Sequence, residues 1–167
     1  MKEIRKNCPG RRSTGCSFAT KPMTEPVFIL GPVSVPFRIN FSVKTEGPAV
    51  IVLSDQREKE SIYARIIIGV QDNMKHGGRN TKAVIRSCHH QCDQLDVLDT
   101  HSEPGLVNGK DYRPFWIEYK EGVVMVGKGG QAGGFMEGNI SQHPVVHLGI
   151  DSRNVTGDWE FPGQYCG

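Results

Sequence analysis

Apolar and polar residues alternate most regularly from Val35 to Thr45, "VPFRINFSVKT", where Phe37, Ile39, Phe41 and Val43 interleave with Arg38, Asn40, Ser42 and Lys44. A period of two places one set on a buried face and the other in water, so this segment predicts a half-buried strand. "AVIVLSD" (Ala49 to Asp55) and "IYARIIIGV" (Ile62 to Val70) are nearly continuous β-branched runs between turn-forming residues. They predict strands covered on both faces. "TKAVIRSC", "LDVLDT", "PFWIEY", "VVMVGK", "PVVHLGI" and "DWEF" follow at short spacing, with Lys120, Glu121 and Gly122 forming a hairpin connection between two of them.

No window repeats apolar residues at i, i+3, i+4 and i+7 over three turns, and 20 Gly with 10 Pro interrupt the chain too often for long helices. The expectation is an all-β domain: a two-sheet antiparallel β-sandwich or jelly roll of about nine or ten short strands, an arrangement that leaves few open edges. A chain of 167 residues is long enough for one core. The first 26 residues, rich in Arg, Pro, Gly and Thr, predict an N-terminal arm held by its cysteines, with the sandwich spanning 27–167.

Charge narrows the partners. Twenty basic against 18 acidic residues, interspersed, give no footprint for nucleic acid, and the Arg5, Lys6, Arg11, Arg12 cluster reads as a solvated arm. No apolar run approaches the ~20 residues that cross a bilayer, so membrane insertion is not expected. "MKEIRKNCPGRRSTGC" shows no apolar leader segment.

Five cysteines (Cys8, Cys16, Cys88, Cys92 and Cys166) and three Asn-x-Ser/Thr sequons at Asn40, Asn139 and Asn154 favour a secreted protein with disulfides. The odd cysteine count leaves one thiol after two internal bridges. A disulfide-linked homodimer through Cys8 or Cys16 is therefore expected. "CHHQCD" gathers Cys88, His89, His90, Cys92 and Asp93, but a tetrahedral zinc site draws on a second ligand pair that only His143 and His147 offer, so a disulfide-flanking loop is the reading taken. Calcium stays open as a cofactor, although the chain has no Asp-x-Asp-x-Asp-Gly loop.

For binding, the loops outrank the strands, because polar groups converge there without breaking a ladder. "QDNMKHGGRN" concentrates Asp72, Asn73, His76, Arg79 and Asn80 around two glycines, and "GKGGQAGGFMEGN" offers Lys128, Gln131, Glu137 and Asn139 around Phe135. Each set supplies the donors and acceptors a vicinal diol needs, and His76 or Phe135 a ring for its C–H face. The competing reading is a wet turn and a surface loop pinned by Phe135. Phe115 and Trp116 are neighbours on a strand and point to opposite faces, so they are assigned to packing, as is Trp159.

The segments "YARIIIGVQDN...TKAVIRS", "FWIEYKEGVVMVGKG" and "HLGIDSRNVTGDWEF", in this order between Phe37 and Phe161, resemble the domain family labelled farnesoic acid O-methyltransferase. The resemblance implies a secreted β-sandwich that works as a binding module. A methyl donor's adenosine usually sits on a glycine turn between a parallel strand and a helix, and no such pattern is present. No Gly-x-Ser-x-Gly elbow or evident carboxylate pair offers hydrolysis instead, so catalysis is not expected. Within the family the chain looks most like galactose-binding lectins of sea anemones, which implies a carbohydrate-binding protein for terminal galactosides. An adhesion or assembly module that binds protein on the same sandwich is the alternative.

Overall fold

The computed structural model describes residues 4–6, 15–22, 25–70, 81–89, 94–153 and 155–164. These form two antiparallel sheets and one short 3-10 turn at Lys59–Ser61. The seven-stranded sheet runs β1 (Ile4–Lys6), β2 (Gly15–Thr20), β13 (Gly157–Pro162), β4 (Phe37–Thr45), β9 (Arg113–Lys120), β10 (Val123–Lys128), β11 (Met136–Asn139). The six-stranded sheet runs β3 (Val27–Ser34), β12 (Val145–Ser152), β5 (Ala49–Ser54), β6 (Ile62–Val70), β7 (Lys82–His89), β8 (Gln94–Ser102).

Alternation decides what each strand buries. On β4, Ile39, Phe41 and Val43 are almost fully buried while Arg38 and Asn40 are exposed. Phe41 stacks on Phe115 of β9 at 5.7 Å and on Phe161 of β13 at 5.8 Å, so neighbouring strands meet through their rings. Ile51, Leu53, Ala64, Ile66, Ile68, Ile85, Leu148 and Ile150 of the six-stranded sheet close the same core from the opposite side. Each large apolar side chain removed from water contributes about 1.5–3 kcal/mol, which makes this inter-sheet layer the main source of stability. All six residues of β5 are buried, as its unbroken apolar run predicts.

Residues 15–20, assigned to the arm, form β2, a strand of the seven-stranded sheet. Its register pairs Phe18 with Trp159, and Cys16 and Phe18 are buried. The Cys16, Phe18, Thr20 alternation outweighs the arm-like composition around it. The strand count is also higher than expected, because short pieces such as β1 and β11 add edges to a recognisable centre. The β9–β10 connection is the anticipated tight hairpin: Lys120 pairs with Val123, and Glu121 and Gly122 take φ of 52° and 77°, the left-handed pair of a two-residue loop.

Candidate functional site

The first predicted loop, with Asp72, Asn73, His76, Arg79 and Asn80, lies outside the described residues, but its two ends are defined. Thr81 N donates to Val70 O at 3.2 Å, and Glu103 N donates to Thr81 O at 3.0 Å. The Glu103 carboxylate accepts from Lys128 Nζ and lies 3.1 Å from His101 Nε2, contacts that hold its pKa below the ordinary carboxylate value. The His101 ring is 4.8 Å from Phe135, which meets Phe115 edge-on at 6.4 Å. Glu103 thus ties the base of one predicted loop to the other.

The second loop does not converge on one point. Lys128 and Gln131 line a cleft of about 210 Å³ with Glu103 and Arg113. Phe135 and Glu137 line a different one with Asp99 and Met125. Lys128 is engaged by Glu103, Gln131 O accepts the Trp116 indole N–H at 3.0 Å, and Glu137 N donates to Asp99 at 2.9 Å. Part of this loop therefore holds structure.

A polar group that sequence reading passed over lies on the outer face of the six-stranded sheet. Val50, Val52, Ile62, Ile67, Val84 and Cys88 form an apolar cluster separate from the inter-sheet core, with Phe28 against it. Gly149 makes room for it: a Cβ there would stand 2.7 Å from Val52 and 3.2 Å from the Phe28 ring. Arg65 alternates with the core residues Ala64 and Ile66, and Arg86 follows the core residue Ile85, so both project to the outer side. The register sets them directly opposite each other, Arg65 against Arg86, with the exposed Val97 opposite Arg86 on β8.

Both guanidinium groups are compromised. The Nε atoms of Arg65 and Arg86 are buried without a hydrogen-bond partner, and no carboxylate pairs with either side chain among the described residues. Burial, and after it the charge of Arg153, pull Arg65 below its ordinary pKa, with Asp151 acting in the opposite sense. Asp151 itself is raised, chiefly by burial. It stands on β12 with β5 between it and β6, aligned with Val50. The face therefore has a carboxylate on one side, an apolar strip in the middle and two arginines on the other.

Near the start of β6, His143 Nδ1 lies 2.7 Å from Asp55 and its ring stacks on Tyr63 at 3.6 Å, while burial raises the Tyr63 hydroxyl pKa. No three or more His, Cys, Asp or Glu residues are placed to hold a metal ion among the described residues. No helix among them is long and apolar enough to cross a membrane. Cys16 and Cys88 are each disulfide-bonded, whereas Cys8, Cys92 and Cys166 lie outside the described residues.

Every ladder described is antiparallel, so no parallel strand–turn–helix seat for an adenosine is formed among the described residues. The family model described as farnesoic acid O-methyl transferase nevertheless matches residues 16–164. The chain belongs to that family. No curated protein matches its sequence.

The family member's fold is also that of several solved structures. The carbohydrate-binding module CBM66 of Bacillus subtilis superposes with a TM-score of 0.59 at 12% identity, covering 97% of this chain and 90% of that one. Galectin LEC-6 of Caenorhabditis elegans gives 0.51 at 15% identity over 83% and 96% of the two chains. A toad ovary galectin in complex with thio-digalactose gives 0.52 at 9% identity over 86% and 98%. At such identities the likeness is one of fold, a two-sheet β-sandwich.

The signal for the arginine pair was present in the sequence: a single Arg inside each of "IYARIIIGV" and "TKAVIRSC", runs otherwise suited to a covered strand. Only the register shows that the two meet.

Proposed function

We propose that this protein is a non-catalytic lectin for galactose-type glycans, which it holds on the outer face of the six-stranded sheet. The observation that carries the reading is the Arg65–Arg86 pair, with both Nε atoms buried and unpaired over an apolar floor. The enclosed Nε atoms hold the two half-buried side chains in the sheet face, and a ligand rich in oxygen acceptors meets their remaining guanidinium N–H groups. A guanidinium fork matches two adjacent hydroxyl oxygens, and the exposed Val97 opposite Arg86 offers a surface to a sugar's C–H groups.

Asp72, Asn73, His76, Arg79 and Asn80 belong to the connection between β6 and β7, the strands that carry the two arginines. Glu137, on β11 of the seven-stranded sheet, meets the edge of the six-stranded sheet where its backbone N–H donates to Asp99 of β8. The carbohydrate-binding module and the galectins among the structural neighbours, one of them in complex with thio-digalactose, support the ligand class. Secretion and a galactose preference belong to the same proposal, resting on the cysteines, the sequons and the lectin resemblance.

Calorimetry with lactose and thio-digalactose tests it. Wild type should release heat saturably, and Arg65→Ala or Arg86→Ala should lower affinity by about 1–3 kcal/mol with the fold unchanged by circular dichroism. Arg79→Ala and Glu137→Ala, the loop residues read from the sequence, are carried through the same titration. Silence with both sugars, or full affinity in both sheet-face variants, would refute the placement.

A further inference from the structure

Resting on that reading of the face, we infer that its arginine pair selects glycans carrying an oxyanion, a carboxylate or a sulfate ester, on the sugar. Arg65 and Arg86 are cross-strand partners, so two like charges face each other where opposite charges would be favourable. Asp151 is the acid that acts on Arg65 from this face, and it does so across β5 while Arg153 works against it. Neither arginine has an ion-pair partner among the described residues, although both lie half-buried beside Val52, Ile67 and Val84. Hydroxyl groups can accept their N–H bonds but leave the paired charge in place. An oxyanion does both, because its oxygens accept from two forks and its charge offsets the repulsion.

The apolar surroundings strengthen that choice. Charges partly removed from water interact more strongly than exposed ones, so an acid on the sugar gains more here than on an open lysine patch. Val97, exposed next to Arg86, leaves the far side of the pair without a competing carboxylate at its register position. The fork geometry also separates Arg from Lys, since a point charge cannot bind two oxygens side by side.

The probes are lactose, sulfated lactose, sialyllactose and inorganic sulfate, titrated in low salt and again near physiological ionic strength. Either sulfated lactose or sialyllactose, or both, should bind at least tenfold tighter than lactose, and the two arms distinguish sulfate from carboxylate. The excess should shrink in the higher salt. Inorganic sulfate alone should bind at least tenfold more weakly than the preferred acidic sugar.

Arg86→Gln removes the charge and the fork, so lactose affinity should fall as well, but the affinity for the preferred acidic sugar should fall at least tenfold further. Arg65→Lys and Arg86→Lys, which keep charge but lose the fork, should fall between, and thermal melts identify any variant that fails to fold. Lactose binding with no gain for either acidic sugar overturns the inference and leaves the lectin reading standing. Silence with every sugar overturns both. Equal binding of inorganic sulfate and acidic sugar shows an adventitious ion only and overturns it as well.

Discussion

Trp116 lies on the outer side of the seven-stranded sheet and yet is 1% exposed. Its indole spreads over β10, where Gly127 stands opposite it, and a Cβ at that position would lie 2.2 Å from two of its ring carbons. The Arg38 guanidinium covers the ring at 4.0 Å, and the indole N–H fixes the Gln131 carbonyl. Gly127→Ala therefore displaces the ring, its cation–π contact and one hydrogen bond at once. We expect a loss of about 1–3 kcal/mol in urea denaturation, with a red shift of tryptophan emission in the native state. An unchanged midpoint and spectrum would show that the ring does not need the gap. The sequence already put Phe115 and Trp116 on opposite faces, because neighbours on a strand must diverge. It did not reveal which face is the core, nor that the glycine of "VVMVGK" is a packing position, since both depend on the strand across the ladder.

At the level of elements, alternation carries far and composition misleads. β4, β5 and β6 were readable because period two or an unbroken apolar run is the direct trace of burial on one face or two. β2 was not, since its six residues sit in a stretch whose Arg, Gly and Pro content suggests an arm. Its placement makes a sharp prediction. Phe18 is 5% exposed and packs edge-on to Phe161 at 6.1 Å, so Phe18→Ala should cost about 3–5 kcal/mol in chemical denaturation. A cost below about 0.5 kcal/mol is what a loose arm would give, and it would remove β2 from the fold. The arginine pair was hidden for a related reason. Each Arg is visible inside an apolar run, but their meeting depends on the β6–β7 register and on the irregularity between Ile68 and Val70. Local pattern does not encode a register set by a connection of this length. The loop reading named Asp72, Asn73, His76, Arg79 and Asn80, which lie outside the described residues, and it left out the strands on either side of them.

On the scale of the molecule, the two outer faces differ in chemistry. Asn40 on β4 and Asn139 on β11, both sequon asparagines and both exposed, belong to the seven-stranded sheet, while the arginine pair belongs to the six-stranded one. A single sheet-face site binds weakly, and joining two of them raises avidity by making the second contact intramolecular. The cysteines offer the means. Cys16 and Cys88 are already disulfide-bonded and Cys16 lies in β2, so of Cys8 and Cys16 the bridging role falls to Cys8 in our proposal. Unpaired thiols in an oxidising compartment exchange until they find a stable partner, and a second copy of the chain is the partner always present at matching concentration. Electrophoresis without reductant should then give a band at twice the 18.5 kDa monomer mass, which reductant halves and Cys8→Ser removes. A monomer band without reductant excludes the covalent dimer. A dimer that survives Cys8→Ser moves the bridge to another cysteine. If the dimer forms as proposed, Cys8→Ser should also lose agglutination of galactoside-coated beads while keeping the calorimetric affinity of each site, since the bridge adds valency and no contact to the sugar.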